Sequence, residues 1–245
     1  MFKFTKNFDK AYTQSFDQSL RNYYLMIYTY VTLGLLITAL MAFAVLNFAP
    51  LTHLMYNMKN GLIAGPSGFG MIMNVVPILI SVYFFMGFGA MSLDKARFLF
   101  WIYCATIGAN LSYMGLIYTG HSLVKGLLIT TSAFAAISLY GYTTKTDLSK
   151  YSSFFMMGII GVLVASVINI FFRSTALDML VSLVGVVAFM GFIAWDNQKI
   201  KQIYYQCPNG EIAQKYAIIS AFNLYLNFIN LFLYMMRFFG DRKND

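Results

Sequence analysis

The sequence predicts an all-α integral membrane protein with seven transmembrane helices. Three observations carry this. Seven apolar runs, each about one bilayer thickness long, follow one another with short polar breaks. The chain is 59% hydrophobic and only 11% charged, where a soluble domain carries roughly 25% charged residues. Its mean hydropathy is +0.65, so lipid must be the solvent for most of the surface.

The runs are read as helices at Tyr23–Ala49, Met71–Leu93, Phe98–Tyr118, Leu123–Tyr142, Tyr151–Phe172, Ala176–Gln198 and Tyr216–Phe239. Each is near the ~20 residues that cross ~30 Å of hydrocarbon. They define a transmembrane domain over residues 23–239, flanked by a cytoplasmic N-terminal segment, 1–22, and a short C-terminal tail, 240–245. The polar first segment lacks the apolar stretch and small-residue cleavage site of a secretory signal. The first run is therefore expected to act as an uncleaved signal-anchor. Two connections are long, Pro50 to Gly70 and Lys199 to Lys215, and the others make successive helices antiparallel neighbours.

Orientation follows from the 17 Lys and Arg residues. Eleven fall on the side of the N-terminus and six on the other, three of those in the C-terminal tail region. The positive-inside rule then puts the N-terminus in the cytoplasm, and seven spans put the C-terminus outside, in the cytoplasmic (inner) membrane of a cell. Trp101 and Trp195 fall near the cytoplasmic ends, where an aromatic belt belongs. The net charge of +8 is spread through loops with no basic stripe, so nucleic acid is not an expected partner. Cys104 lies in an apolar run and Cys207 in a polar loop, which forms neither a disulfide framework nor a metal cluster.

No enzyme motif is present. His53 and His121 sit in or beside outer loops, away from any membrane-embedded nucleophile, and no phosphate loop, zincin pattern or dinucleotide fingerprint occurs. No cofactor is expected. An intramembrane aspartyl protease would need two carboxylates sharing a proton, and Asp196 stands alone. Between Asp178 and Asp196 lie only ~17 uncharged residues, or ~25 Å of helix. Completing the crossing draws Asp196 inside the membrane edge, where ionisable groups are functional candidates. The plainer reading is a side chain that snorkels to the interface.

In the seventh run, Tyr216, Ser220, Asn223, Asn227, Asn230 and Tyr234 recur at steps of four and three and share one helical face. Amides are costly in hydrocarbon, so this face is expected to point into the bundle. It serves either as interhelical hydrogen-bonding glue or as a polar pathway. Small residues (Gly87, Gly89 and Ala90; Gly158 and Gly161; Ser182 and Gly185) mark places for close helix approach.

Three stretches carry a resemblance: Phe134–Leu148 (FAAISLYGYTTKTDL), Ser182–Lys201 (SLVGVVAFMGFIAWDNQKIK) and Leu224–Leu233 (LYLNFINLFL). Together, and with a looser match around Gly108–Gly115, they resemble the bacterial branch of the Bax inhibitor-1 family over roughly residues 80–240. The resemblance implies a central helix surrounded by six. It also implies a pH-sensitive calcium leak, described for some members, or a regulatory role, such as partnership with a membrane protease. In the family an Asp in the sixth helix pairs with an Asp in the seventh as pH sensor of the pore. Asp196 fills the first position and Asn227 the second. An Asp–Asn pair lacks the repulsion of two carboxylates, so Asp196 is expected to titrate alone. A calcium ion would meet one carboxylate and one neutral carbonyl. The family's basic residue beside the sixth-helix acid has Arg97 as its nearest candidate. The expected function is a cation leak gated at Asp196, with a non-conducting regulator of a membrane protease or stress response as the alternative.

Overall fold

The computed structural model describes residues 2–59, 62–207 and 210–243, with side chains at all of these except 2–17 and 62. Nine α-helices are found among them: α1 (Phe2–Asn47), α2 (Ala49–Met55), α3 (Gly68–Gly87), α4 (Leu93–Leu111), α5 (Met114–Ile117), α6 (Gly120–Thr143), α7 (Ser152–Phe172), α8 (Thr175–Gln206) and α9 (Gly210–Phe239). Seven segments are long and apolar enough to cross a membrane: Gln18–Asn47, Gly68–Ala90, Leu93–Ile117, Gly120–Thr143, Leu148–Phe172, Thr175–Gln206 and Gly210–Phe239. These are the seven predicted spans. The protein is membrane-spanning and sits in a lipid bilayer.

The helix α9 is the axis of the bundle. In its most apolar window 67% is buried, against 6% in α7. Aromatic contacts seat its neighbours. Phe84 of α3 stacks on Phe222 at 4.5 Å, and Tyr103 of α4 lies 4.6 Å from the same ring. Phe134 of α6 meets Phe228 at 5.3 Å and Phe189 of α8 meets Tyr234 at 5.7 Å. The contact from α1 is polar. Thr38 Oγ1 lies 2.6 Å from the Tyr225 hydroxyl and 2.9 Å from the Gly34 and Cys104 carbonyls, which ties α1, α4 and α9 with a fully buried tyrosine. The helix α7 leans on α8, where the absence of a side chain at Gly191 admits the Phe155 ring.

Backbone polarity inside the bilayer must be met internally. Pro77 lies within α3 and has no N–H, so the Met73 carbonyl one turn earlier loses its helical donor. The Asn110 side-chain amide of α4 donates to that carbonyl at 2.9 Å. Close helix approach uses glycine at two decisive points. A Cβ at Gly108 would stand 2.4 Å from the Thr38 carbonyl oxygen, and one at Gly141 would stand 2.3 Å from that of Ala194. Among the small residues singled out from the sequence, Gly185 is occupied tightly by the Tyr234 ring, whereas Gly89 and Gly161 face open space.

Two expected long connections are structured. Pro50–Gly70 holds α2 and an antiparallel hairpin, β1 (Tyr56–Lys59) with β2 (Leu62–Pro66), the only two-stranded sheet among the described residues. Tyr56 anchors it through a 2.7 Å hydroxyl contact to Ser112, and burial holds that phenol above its ordinary pKa, so it remains protonated. Ser67 caps α3 by accepting from Gly70 N at 3.0 Å and also donates to the Leu54 carbonyl. At the other end, Lys199–Gln206 continues α8, and α9 begins at Gly210 rather than Tyr216. Lys and Gln are good helix formers, and Ile200 and Tyr204 are buried. The loss of hydropathy there marks the membrane edge and not the helix end. The C-terminal tail folds back at the hairpin end, bridging Arg242 to Tyr118, while Asp241 N donates to Ser122 Oγ at 2.8 Å.

Candidate functional site

The site is built where α8 passes α9. Asp196 is buried at 7% exposure on α8, and Asn227 at 8% on α9. The Asn227 Nδ2 amide donates to Asp196 Oδ2 at 2.6 Å. Asp196 lies ~27 Å along the helix from Asp178 at ~1.5 Å per residue. That puts it near the far edge of the hydrocarbon, and α8 runs on past it.

Among the described residues no ammonium or guanidinium comes within ion-pairing distance of Asp196, since the single such pair is Arg97 with Asp94 at 3.4 Å. Lys199, one turn on, holds its ammonium over the Trp195 ring at 5.1 Å. Arg97 is therefore not the partner of Asp196. Its Nε donates to the Tyr30 hydroxyl at 3.0 Å and its Nη2 to Gln214 Oε1 at 2.9 Å. Gln214 is 13 residues before Asn227, or ~20 Å along α9, so a guanidinium held there cannot reach the pair. Arg97 fastens α1, α4 and the start of α9 together.

The polar face of α9 is graded. Ser220 and Asn227 are buried, Asn223, Asn230 and Tyr234 are half-buried, and Tyr216 is exposed. Only Asn227 of the three asparagines has a hydrogen bond to another helix among the described contacts, because the Asn230 amide turns to its own Leu226 carbonyl at 2.8 Å.

Sequence reasoning missed the neighbour of Asp196. Asn197 is fully buried and joins three helices. Its Oδ1 accepts from the Tyr28 hydroxyl at 2.6 Å, and its Nδ2 donates to Ser138 Oγ at 3.2 Å and to its own Ile193 carbonyl at 2.8 Å. Its backbone carbonyl accepts from the Tyr24 hydroxyl at 2.6 Å. The signal was present in the Tyr24/Tyr28 spacing of four, which puts both phenols on one face of α1. Gln198 follows with a further task. It accepts from Leu148 N at 2.8 Å and donates to the Thr146 carbonyl at 2.7 Å, which fastens the turn between α6 and α7.

Among the described residues no group of three or more His, Cys, Asp or Glu could hold a metal ion. What the arrangement offers chemically is one buried carboxylate, one amide carbonyl and a proton that can be gained or lost.

Six spans wound around a buried seventh, with a carboxylate–amide pair between the last two, define a multi-pass membrane protein. The chain belongs to the Bax inhibitor-1 family: the model described as "Inhibitor of apoptosis-promoting Bax1" matches residues 20–244. It is 48% identical to RP147 of Rickettsia prowazekii over 94% of each chain. It is 35% identical to the inner membrane protein YbhL of Escherichia coli, covering 91% of this chain and 93% of that one. To YrjE of Lactococcus lactis it is 36% identical, over 92% and 94%. The similarity thus reaches the first span, beyond the residues 80–240 that carried the resemblance by eye.

Proposed function

We propose that this protein is a latent cation leak of the inner membrane, with its N-terminus in the cytoplasm and Asp196 as the gating carboxylate. The observation that carries the reading is a buried carboxylate with no ion-pair partner among the described residues, held by one amide from the central helix and reached only at a distance by the Lys199 charge. A buried carboxylate with no direct ion pair is costly to ionise, so proton uptake, or a cation drawn to the pair, changes the balance of the α8–α9 interface. The location follows the printed description of YbhL as an inner membrane protein, and the orientation follows the charge division of the loops.

With Asn227 opposite, one titration governs the gate instead of two coupled ones, and a calcium ion at the pair meets a single hard anionic ligand. That same substitution favours a second reading, a non-conducting regulator acting through protein contacts, such as a membrane protease.

The test is calcium flux into liposomes holding purified wild-type protein, Asn227→Asp and Asp196→Asn, across pH under one gradient. The leak predicts a shallow pH response for the wild type, a steeper one for Asn227→Asp and none at this site for Asp196→Asn. Three coincident curves would reject Asp196 as the gate. Absent flux beside specific co-purification of a protease would establish the regulator.

A further inference from the structure

A groove of about 1,150 Å³ opens sideways between α1 and α6, with Phe228, Ile229 and Phe232 of α9 as its floor. It exists because α1 and α6 both pack on α9 without closing on one another. Its walls run from Arg21 to Leu46 on α1, ~38 Å of helix at ~1.5 Å per residue, more than the ~30 Å hydrocarbon thickness. They are apolar over nearly their whole length, and Arg21 is the single charged residue in the lining. It stands at the Asp196 end beside Tyr24 and Tyr142. The Lys201 ammonium lies 5.8 Å over the Tyr142 ring, so two cations flank that mouth. Among the described residues neither Arg21 nor Lys201 has a carboxylate within ion-pairing distance.

We infer that this groove is a binding site for a phospholipid with an anionic headgroup. Its acyl chains lie along α1 and α6 over Phe228 and Phe232, and its headgroup phosphate meets Arg21 and Lys201. Apolarity and charge match that occupant, whose chains cover one leaflet, about half of the ~30 Å hydrocarbon, and so fill the half of the groove nearer Arg21. A membrane helix would fill the apolar part but leaves the two cations unanswered. A zwitterionic lipid fills the groove without preferring its mouth. Three wall residues, Tyr24, Tyr28 and Ser138, are those that hydrogen-bond Asn197, which sets the lipid one contact away from the residue next to Asp196.

The experiment equilibrates the purified full chain with an equimolar mixture of phosphatidylglycerol and phosphatidylethanolamine of identical acyl chains. Lipid retained on the protein is then counted by native mass spectrometry. The wild type is expected to retain lipid enriched about thirtyfold in phosphatidylglycerol, the equivalent of ~1 kcal/mol for each of the two basic side chains at an anionic lipid surface. Arg21→Gln should lower the enrichment while keeping the lipid count, and Arg21→Lys should restore it. Ala135→Trp, on the exposed wall of α6, should remove one lipid by filling the groove. Val164→Trp, exposed on α7, should change nothing. Melting temperatures near wild type for all four variants show that they are folded. Retained lipid with the composition of the mixture, an Ala135→Trp count equal to wild type, or a lipid-free dimer would each overturn the assignment.

Discussion

Asn197 offers a measurement in which neighbouring hydrogen bonds to one residue give opposite outcomes. Tyr28 bonds its side chain at 2.6 Å, whereas Tyr24 bonds its backbone carbonyl, also at 2.6 Å. Asn197→Leu removes the first bond and leaves the second. It also removes the donation to Ser138, the other interhelical side-chain bond. Interhelical hydrogen bonds in membranes average ~0.6 kcal/mol and reach ~1.7 kcal/mol, so two of them set a loss of roughly 1–3 kcal/mol. The lower half of that range is expected. Ser138 can turn back to a carbonyl of its own helix, and the Tyr28 hydroxyl borders the groove between α1 and α6. Leucine recovers little in exchange, because the lipid reference is as apolar as leucine itself. In reversible unfolding from mixed micelles, Tyr28→Phe and Asn197→Leu should couple by about 1 kcal/mol. Tyr24→Phe and Asn197→Leu should be additive within ~0.5 kcal/mol. Equal coupling for both tyrosines would refute the geometry, since it would mean that the side-chain and backbone acceptors are not distinguished.

Four further outcomes follow from the packing. Gly141→Ala drives a methyl into the Ala194 backbone and should cost about 1–3 kcal/mol in the same assay, while Gly161→Ala, in open space, should be neutral or slightly stabilising. Asn110→Leu should destabilise the wild type by ~0.6–1.7 kcal/mol but cost little in a Pro77→Ala background, where the Met73 carbonyl regains its helical donor. Asn227→Leu should destabilise more than Asn230→Leu, whose amide bonds only its own helix; the reverse order in unfolding experiments would contradict the interhelical role of Asn227. Reporter fusions at Lys6 and Asp245 should read opposite sides of the membrane, and a shared side would remove one span.

The limits of what the sequence revealed are physical. Hydropathy measures where the chain leaves lipid, so it found all seven spans yet ended α8 at Gln198, eight residues early, because a helix in water needs propensity and not apolarity. The hairpin at Tyr56–Pro66 is held by Ser67 on Leu54 and Tyr56 on Ser112, contacts with no periodic signature. Asp196 and Asn227 were legible because an acid in an apolar run and an asparagine in a polar stripe each violate the pattern around them. Arg97, the nearest basic candidate in the sequence, bonds Tyr30 and Gln214 instead, because closeness to a membrane edge says nothing about which neighbour is in reach around the bundle.

Asn197 itself has no signature in the sequence, because a neutral amide beside a charged residue at a membrane edge breaks no pattern. Successive residues on a helix point ~100° apart, so Asp196 faces α9 while Asn197 faces α1 and α6. One dipeptide of α8 therefore holds both sides of the bundle. The α9 side is a single amide–carboxylate bond whose strength depends on a proton or a cation. The α1–α6 side consists of neutral bonds that do not titrate near neutral pH. If the protein is the proposed leak, a change at Asp196 weakens this bond to α9 while α8 stays fastened to α1 and α6, and movement is directed to the α8–α9 seam, where the Tyr234 ring fills the Gly185 notch. A gate needs such an asymmetry. A bundle in which every interface weakened together would unfold rather than open.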